Sequence, residues 1–529
     1  MSNLPSGHPE GVGNIMNTKQ PAARKGPEKL PAWLQNWGPL EGSPNATPLL
    51  HDVIRSTAVH SPDATAVEQD GTKITYADLN LWSDQLAGHL QSLSVGPESM
   101  VALSFDQPLD ALIAMLGVLK AGAAYSSLDP LLPEALWQKR LEACDCQLLI
   151  TNADLLPDLP EVPIRQLCLD AAWEIITKTA CFDVQEPVHG ENLACATYFC
   201  GTHPLTQGVQ MPHRALYHLT CASCIAYDLR PTDRVLQVSP LETVFAAAEI
   251  FPAWLSGAAL ITTSAWFSSL DDILQTLDSQ SITVAHLPND AWLDLIRRLE
   301  ETELQLPDHL RLIVVGEEAV SPQHLQLWQE RFAGKVNLQT TYGTNGTQPA
   351  AERPARSAAA APDVRSYLLN ADLEPVEAGE VGELFIAGSG LGRGYFRQPA
   401  ETANHFLPDP MSASGRMYRT GHQARLQPDG TVEFLGHQAR DLRGFRIDLG
   451  EGHAAYREPT AVEAVVFTPG EVSHRLTSAE REMLKRLQHS TGGCIQSSMT
   501  AYQMLSTSDL LAKFVEERFR RLSPGQEVH

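Results

Sequence analysis

Clusters of histidine, cysteine, serine and acid are where chemistry first shows in a chain. His218 and Cys221-Ala-Ser-Cys224 carry ligand atoms for a soft divalent metal. All three fall on one expected helix, and a tetrahedral site needs a second pair from elsewhere. Ser, His and Asp are plentiful, but no G-x-S-x-G elbow accompanies them, so hydrolase chemistry has no support. The informative stretch runs from Gly382 to Glu451: GELFIAGSGLGRGYF, then RMYRTGHQARLQPDGTVEFLGH, then LRGFRIDLGE. Glu383–Ile386 and Thr431–Leu435 alternate or cluster apolar side chains as short strands do. Gly388, Gly390, Gly392 and Gly394 suit tight turns, and Asp429-Gly430 is a hairpin dipeptide. Arg443, Arg446 and Asp448 lie beside Gly444 and Gly450, so charges border a chain that bends sharply. The residues predict a compact β-rich module followed by a glycine-flanked joint.

Composition narrows the classes. The 529 residues are 43% hydrophobic and 19% charged, ordinary for a globular protein with room for one large and one small domain. A formal charge of −24 argues against a nucleic-acid surface. No apolar run approaches the ~20 residues that span a bilayer. The start, MSNLPSGHPEGVGN, lacks a basic flank followed by an apolar core. Nine scattered cysteines suit reduced thiols. A cytoplasmic location without membrane or nucleic-acid partners is expected.

The Gly382–Glu451 stretch resembles the late core motifs of the adenylate-forming superfamily, in particular of nonribosomal peptide synthetase adenylation domains. That family reads GELxIxGxGxxxGYxxRP, then YRTGD, then a hinge and RGxRIELGE. Gly382–Leu384, Gly394-Tyr395, Tyr418-Arg-Thr-Gly421 and Arg443-Gly-Phe-Arg-Ile447 match. Leu119–Pro133 (LKAGAAYSSLDPLLP) and Ile74–Asn80 (ITYADLN) resemble its LKAGxAYVPxDPxxP and LTYxELN. The bottom-up reading of these two is core packing and loop geometry.

The resemblance implies an ATP or AMP site, and the residues at it depart from the family's pattern. Tyr198-Phe-Cys-Gly-Thr-His-Pro-Leu-Thr-Gln-Gly-Val209 is collinear with YTSGTTGxPKGV. Gly201, Thr202 and Gly208 are kept as phosphate contacts, since small residues let backbone N–H groups approach an anion. Pro204 removes an N–H and Gln207 removes the lysine's charge. Thr340-Thr-Tyr-Gly-Thr-Asn-Gly346 is collinear with NxYGPTE. Tyr342, Gly343 and Thr344 are then placed at the nucleotide, with Tyr342 and Gly343 as the adenine platform. Gly346 stands where the family's glutamate binds magnesium, a hard cation that requires oxygen ligands, so magnesium is doubtful. Glu317 and Glu318 resemble the family's GGE, with a solvated or capping role. His422 replaces the aspartate of YRTGD, and a neutral imidazole accepts only one hydrogen bond where that aspartate takes both ribose hydroxyls. Arg425 matches an arginine near the nucleotide.

For the acid substrate, alignment with FDxSVWE implies Val244, Ala248 and Glu249. Val244 sits where an aspartate would meet an ammonium, and burying that charge unpaired is costly, so an ordinary α-amino acid is not expected. The hinge, Gly436–Gly444, is about two residues shorter than GRxDxxVKIRG, which restricts rotation of a terminal domain between half-reactions. No PxxxxGK loop brings the catalytic lysine, and Lys513, inside an expected helix, is the one late candidate. The expected function is an adenylation-domain-like protein of nonribosomal peptide or other secondary-metabolite biosynthesis, catalytically impaired. It would serve as a structural or partner-binding component beside a carrier protein or another biosynthetic enzyme. The alternative is an active AMP-forming ligase that adenylates an unusual, non-α-amino acid. In either case ATP or AMP binding is expected to be weakened.

The elements that must position these residues alternate between helix and strand from Thr47, which predicts α/β architecture with parallel sheets. Strands are expected at Lys73–Tyr76, Val101–Phe105, Arg234–Ser239, Ala258–Thr262, Ile282–Leu287 and Leu310–Val315. Helices are expected at Ala77–Leu93, Leu109–Lys120 (stopped by Gly122), Leu270–Leu277 and Asp290–Leu299. Residues from Pro349 to Pro362 read as a loop or linker. The expected organisation is a flexible leader (1–45) and a large domain of doubly wound sheets plus a β-barrel-like subdomain (46–436). A small α+β C-terminal domain (437–529) follows, with helices at Thr477–Gln488 and Ser508–Leu522.

Overall fold

The computed structural model describes residues 48–132, 134–179, 187–198, 208–264, 267, 269–302, 304–316, 322–332, 334–342, 350–352, 365–412, 415–427, 432–437, 440–442, 445–447, 455–456 and 465–466. The leader, the two terminal helices with Lys513, and the motif positions Gly201, Thr202, Pro204, Gln207, Gly343, Thr344 and Gly346 lie outside them.

The chain divides into two units, Pro27–Glu352 with Gly392–Pro399 and Ala479–His529, and Arg353–Leu391 with Ala400–Ser478 and Met1–Gly26. The first unit carries two doubly wound sheets. An eight-stranded sheet runs, edge to edge, Ala350–Glu352, Asn337–Tyr342, Leu312–Val315, Val284–Leu287, Arg234–Leu236, Ala259–Thr262, Thr65–Gln69 and Thr72–Thr75. Its six central strands are parallel and both edge pairings antiparallel. A six-stranded sheet runs Arg165–Cys168, Leu148–Thr151, Met100–Leu103, Ala124–Ser127, Leu193–Thr197 and Val209–Pro212, parallel except for its last pair. Strands such as Leu312–Val315 and Leu148–Thr151 are buried at every position, as a parallel strand covered by helices on both faces must be.

Local signals place the helices. Thr75 and Asp78 form a reciprocal capping box, each side chain bonded to the other's backbone N–H at 3.1 Å, and open the helix Tyr76–Ser92. Pro108 starts the helix Pro108–Lys120, and Gly122, at φ +86°, lets the chain turn left-handed after it. Around the larger sheet, Leu236, Ile273, Trp292, Leu295, Ile313 and Trp328 anchor one core cluster. No helix among the described residues is long and apolar enough to cross a membrane.

The second unit holds an all-antiparallel sheet in which Arg365–Leu369, Val381–Ala387, Arg416–Leu426 and Phe406–Pro408 follow one another and Val432–His437 pairs with Arg416–Leu426. Tyr367, Leu369, Phe385 and Met417 fill its core. The joint expected after residue 437 contains a short hairpin, Arg440–Leu442 against Phe445–Ile447. One correction concerns the loop expected from Pro349 onward. Ala350–Glu352 pairs antiparallel with Thr340–Tyr342 as an edge strand, a place that alanines fill without packing demands.

Candidate functional site

The helix Val244–Ser256 carries the expected substrate positions Val244, Ala248 and Glu249. Thr243 caps it, accepting from the Ala246 N–H at 3.3 Å, and Gly257 ends it at φ +80°. Every one of its residues is buried, Val244, Ala248 and Glu249 included. Pro252 has no N–H, so the Ala248 carbonyl, four residues earlier, loses its helical donor. The Glu249 carboxylate turns back onto the segment after the strand Arg234–Leu236. It accepts from the Val238 N–H at 3.1 Å, the Ser239 N–H at 3.2 Å and the Ser239 Oγ at 2.6 Å. Burial pushes its carboxyl up to about 7, against the downward pull of these donors.

The start of this helix meets the carboxyl ends of parallel strands, where ligands bind in doubly wound folds. Gly316 follows the strand Leu312–Val315, and a Cβ there would stand 2.6 Å from Thr341 Oγ1 and 2.9 Å from the Phe245 ring. The missing side chain lets Phe245 and Thr341 both approach the chain at Gly316.

Both ends of the segment 199–207 are held on the first unit. Thr197 pairs with Val209 across the antiparallel strands. A Cβ on Gly208 would touch the Tyr198 ring at 3.1 Å, so glycine allows the ring to lie across the exit. The Tyr198 N–H donates to the Glu242 carbonyl at 2.9 Å, and its hydroxyl meets Cys144 Sγ at 2.9 Å. Buried Arg140 stacks 4.1 Å above the Tyr198 ring and pairs with Glu242 at 3.1 Å. The other Glu242 oxygen accepts from the Asp129 N–H at 3.3 Å. Arg140 and Glu242, which hold Tyr198 and Asp129 together, were not singled out in the sequence. They lie 102 residues apart and outside every matched motif, and the signal at hand was Asp129 of the LDP run, which Glu242 binds.

His422 and Arg425 lie on the second unit's strand Arg416–Leu426, three residues apart. The His422 N–H donates to Thr420 Oγ1 at 3.1 Å, and Thr420 Oγ1 donates to the Leu384 carbonyl at 2.7 Å. Gly421, at φ +76°, takes the left-handed turn between them. Arg419 forks onto Glu383 at 2.8 and 2.7 Å, across the pairing of the two strands. His422 faces His437 across the pairing, and Arg425 faces Val381 and Glu433. His218, Cys221 and Cys224 share the helix His213–Ala226, where burial pushes the Cys221 thiol up to about 11. Among the described residues no group of three or more metal-ligating side chains gathers.

With this geometry in place, comparison with known proteins defines the class. The family model described as AMP-binding enzyme matches residues 54–396, and the chain belongs to that family. Within it the chain is adenylation-domain-like in the nonribosomal peptide synthetase sense. It is 31% identical over 444 residues to a dimodular nonribosomal peptide synthase of Bacillus subtilis, covering 80% of this chain and 18% of that protein. It is 32% identical over 452 residues to phosphinothricin tripeptide synthetase PhsC of Streptomyces viridochromogenes, covering 83% of this chain and 40% of that one. The chain thus spans less than half the length of these two curated relatives. Among solved structures it is similar in fold to the Klebsiella oxytoca NpsA N-terminal subdomain in complex with 3-hydroxybenzoyl-AMSN. That likeness has TM-score 0.64 and 24% identity, covering 75% of this chain and 100% of that one. An artificially fused NpsA-ThdA adenylation–PCP di-domain gives TM-score 0.66 at 22% identity, over 84% of this chain and 92% of that one.

Proposed function

We propose that this chain is an adenylation-domain-like component of nonribosomal peptide or related secondary-metabolite biosynthesis whose own acid activation is impaired. It retains the body of the fold, at residues 46–436, as a structural or partner-binding element, with residues 437–529 as a small terminal domain. The observation that carries this reading is His422. It follows the left-handed Gly421 on the strand Arg416–Leu426, at the position where the family pattern has an aspartate. An imidazole there offers one acceptor in place of a carboxylate's two oxygens. Gln207 and Gly346 point the same way, since neither offers the charge that the phosphates or a magnesium ion need. The residues that would hold ATP or AMP are Gly201, Thr202, Gly208, Tyr342, Gly343, Thr344, His422 and Arg425. The partner is a carrier protein or a neighbouring biosynthetic enzyme, the arrangement that the artificial di-domain relative suggests.

A second reading is favoured by the helix Val244–Ser256. Val244 is only 6% exposed, and Glu249 spends its carboxylate on Val238 and Ser239. A site built on that helix suits an acid without an α-ammonium group, and an active ligase of this chain would adenylate such an acid.

The two readings separate in one experiment. ATP–pyrophosphate exchange, run with a panel of aryl, alkyl and amino acids, is expected to stay at background for the wild-type chain. ATP calorimetry alongside is expected to give binding weaker than about 100 µM that does not respond to magnesium. Robust acid-dependent exchange would replace the first reading with the second.

A further inference from the structure

Away from these residues, three helices of the first unit border an open cavity of about 250 Å³ whose lining includes Trp82, Asp110, Ile113, Leu169, Asp170 and Trp173. Trp82 comes from the helix Tyr76–Ser92, Asp110 from Pro108–Lys120, and Asp170 and Trp173 from Leu169–Lys178. The two indoles meet edge to face, with centroids 6.3 Å apart and an interplanar angle of 87°, and form a corner. Both are only partly buried, as is Asp110, while Asp170 is exposed.

Acids in a helix's first turn answer the helix dipole by themselves. The dipole does not account for the aromatic corner, or for the way one turn of chain fixes both carboxylates. Asn152 donates to Asp110 Oδ2 at 2.6 Å, and the Ala153 N–H donates to Asp170 Oδ1 at 3.0 Å. The acids are thereby held beside the cavity. Burial raises the Asp110 carboxyl above its usual range, the Asn152 bond pulls the other way, and nearby Asp106 and Asp170 add to the rise, so a cation seated between Asp110 and Asp170 would offset their repulsion. Indole faces attract cations through their quadrupole. The remaining wall is leucine and isoleucine, which rewards carbon on the nitrogen over N–H donors.

We propose that this cavity is a binding site for a small methyl-bearing ammonium ion, with its charge against Asp110 and Asp170 and its carbon groups against Trp82, Trp173 and Ile113. The volume lies just below that of drug-sized pockets, which suits a ligand group of a few carbons. This site is independent of the nucleotide reading and stands whether or not the chain adenylates anything.

Calorimetry on the full chain tests it with three probes: choline, its uncharged isostere 3,3-dimethylbutan-1-ol, and n-butylammonium. Choline is expected to bind saturably, n-butylammonium more weakly and the alcohol not at all. Trp173→Ala and the exposed-site change Asp170→Asn are each expected to weaken choline by about fivefold. Asp170→Asn is also expected to leave thermal unfolding unchanged, which separates lost binding from lost fold. Equal binding of the alcohol and choline, tighter binding of n-butylammonium, no saturation by any probe, or unaltered choline binding in both variants would overturn the proposal.

Discussion

Glu249 has no exposed surface, and its carboxylate is held by a backbone turn with no cation among its hydrogen-bond donors. Its folded-state value of about 7 lies above the ordinary 4.5, so between these values the folded chain binds more protons than the unfolded one. Stability must then fall as pH rises through that window, by up to about 3 kcal/mol. Glu249→Gln, which cannot titrate, is expected to flatten this slope while leaving stability near pH 5 close to wild type. Denaturant unfolding at pH 5 and pH 8 checks it, and an unchanged slope in the variant would refute the assignment. At the scale of single residues the sequence offers expectations by motif, with Gln207 and Gly346 outside the described residues. His422, Gln207 and Gly346 stand out because a motif names what each position should hold. The trio of Arg140, Tyr198 and Glu242 was not legible, because only the folded chain brings a helix, a strand end and a loop together.

At the level of elements, the strands expected from short apolar runs hold to within about three residues, while others such as Leu148–Thr151, Leu193–Thr197 and Asn337–Tyr342 were not singled out. Nor was the helix Val244–Ser256. It is buried on all sides, so it has no polar face to give a period, and Pro252 inside it reads as a breaker. Its start is set by Thr243, whose hydroxyl both caps Ala246 and donates to the Pro240 carbonyl at 2.8 Å. Thr243→Val keeps the shape and removes both bonds, with an expected loss of about 1 kcal/mol. Thr243→Ser is expected to recover most of it. Chemical denaturation of the three proteins measures this, and a valine variant as stable as wild type would show that tertiary burial alone fixes the helix start. The edge strand Ala350–Glu352 was hidden for another reason: a run rich in alanine, arginine and proline carries no strand signal until a neighbouring edge offers its hydrogen bonds.

Across the whole molecule, a formal charge of −24 on 529 residues makes the folded state repel itself. Ions screen such repulsion within a Debye length of about 10 Å at 0.1 M. Added sodium chloride is therefore expected to raise the thermal midpoint between low ionic strength and about 0.5 M. Scanning calorimetry over that range tests it, and a falling midpoint would mean that ion pairs such as Arg311–Asp233 outweigh the global field. The same field favours a basic partner surface over an acidic one.

The clasp formed by Thr197 opposite Val209, with Tyr198 lying across Gly208, has a consequence for how such a protein changes over evolutionary time. The sheet ends and restarts at two fixed posts, so the nine positions between them are an interchangeable cassette. Substitutions between the posts need not disturb the register of the strands on either side. The segment can therefore diverge in sequence while the strands on either side of it keep their pairing.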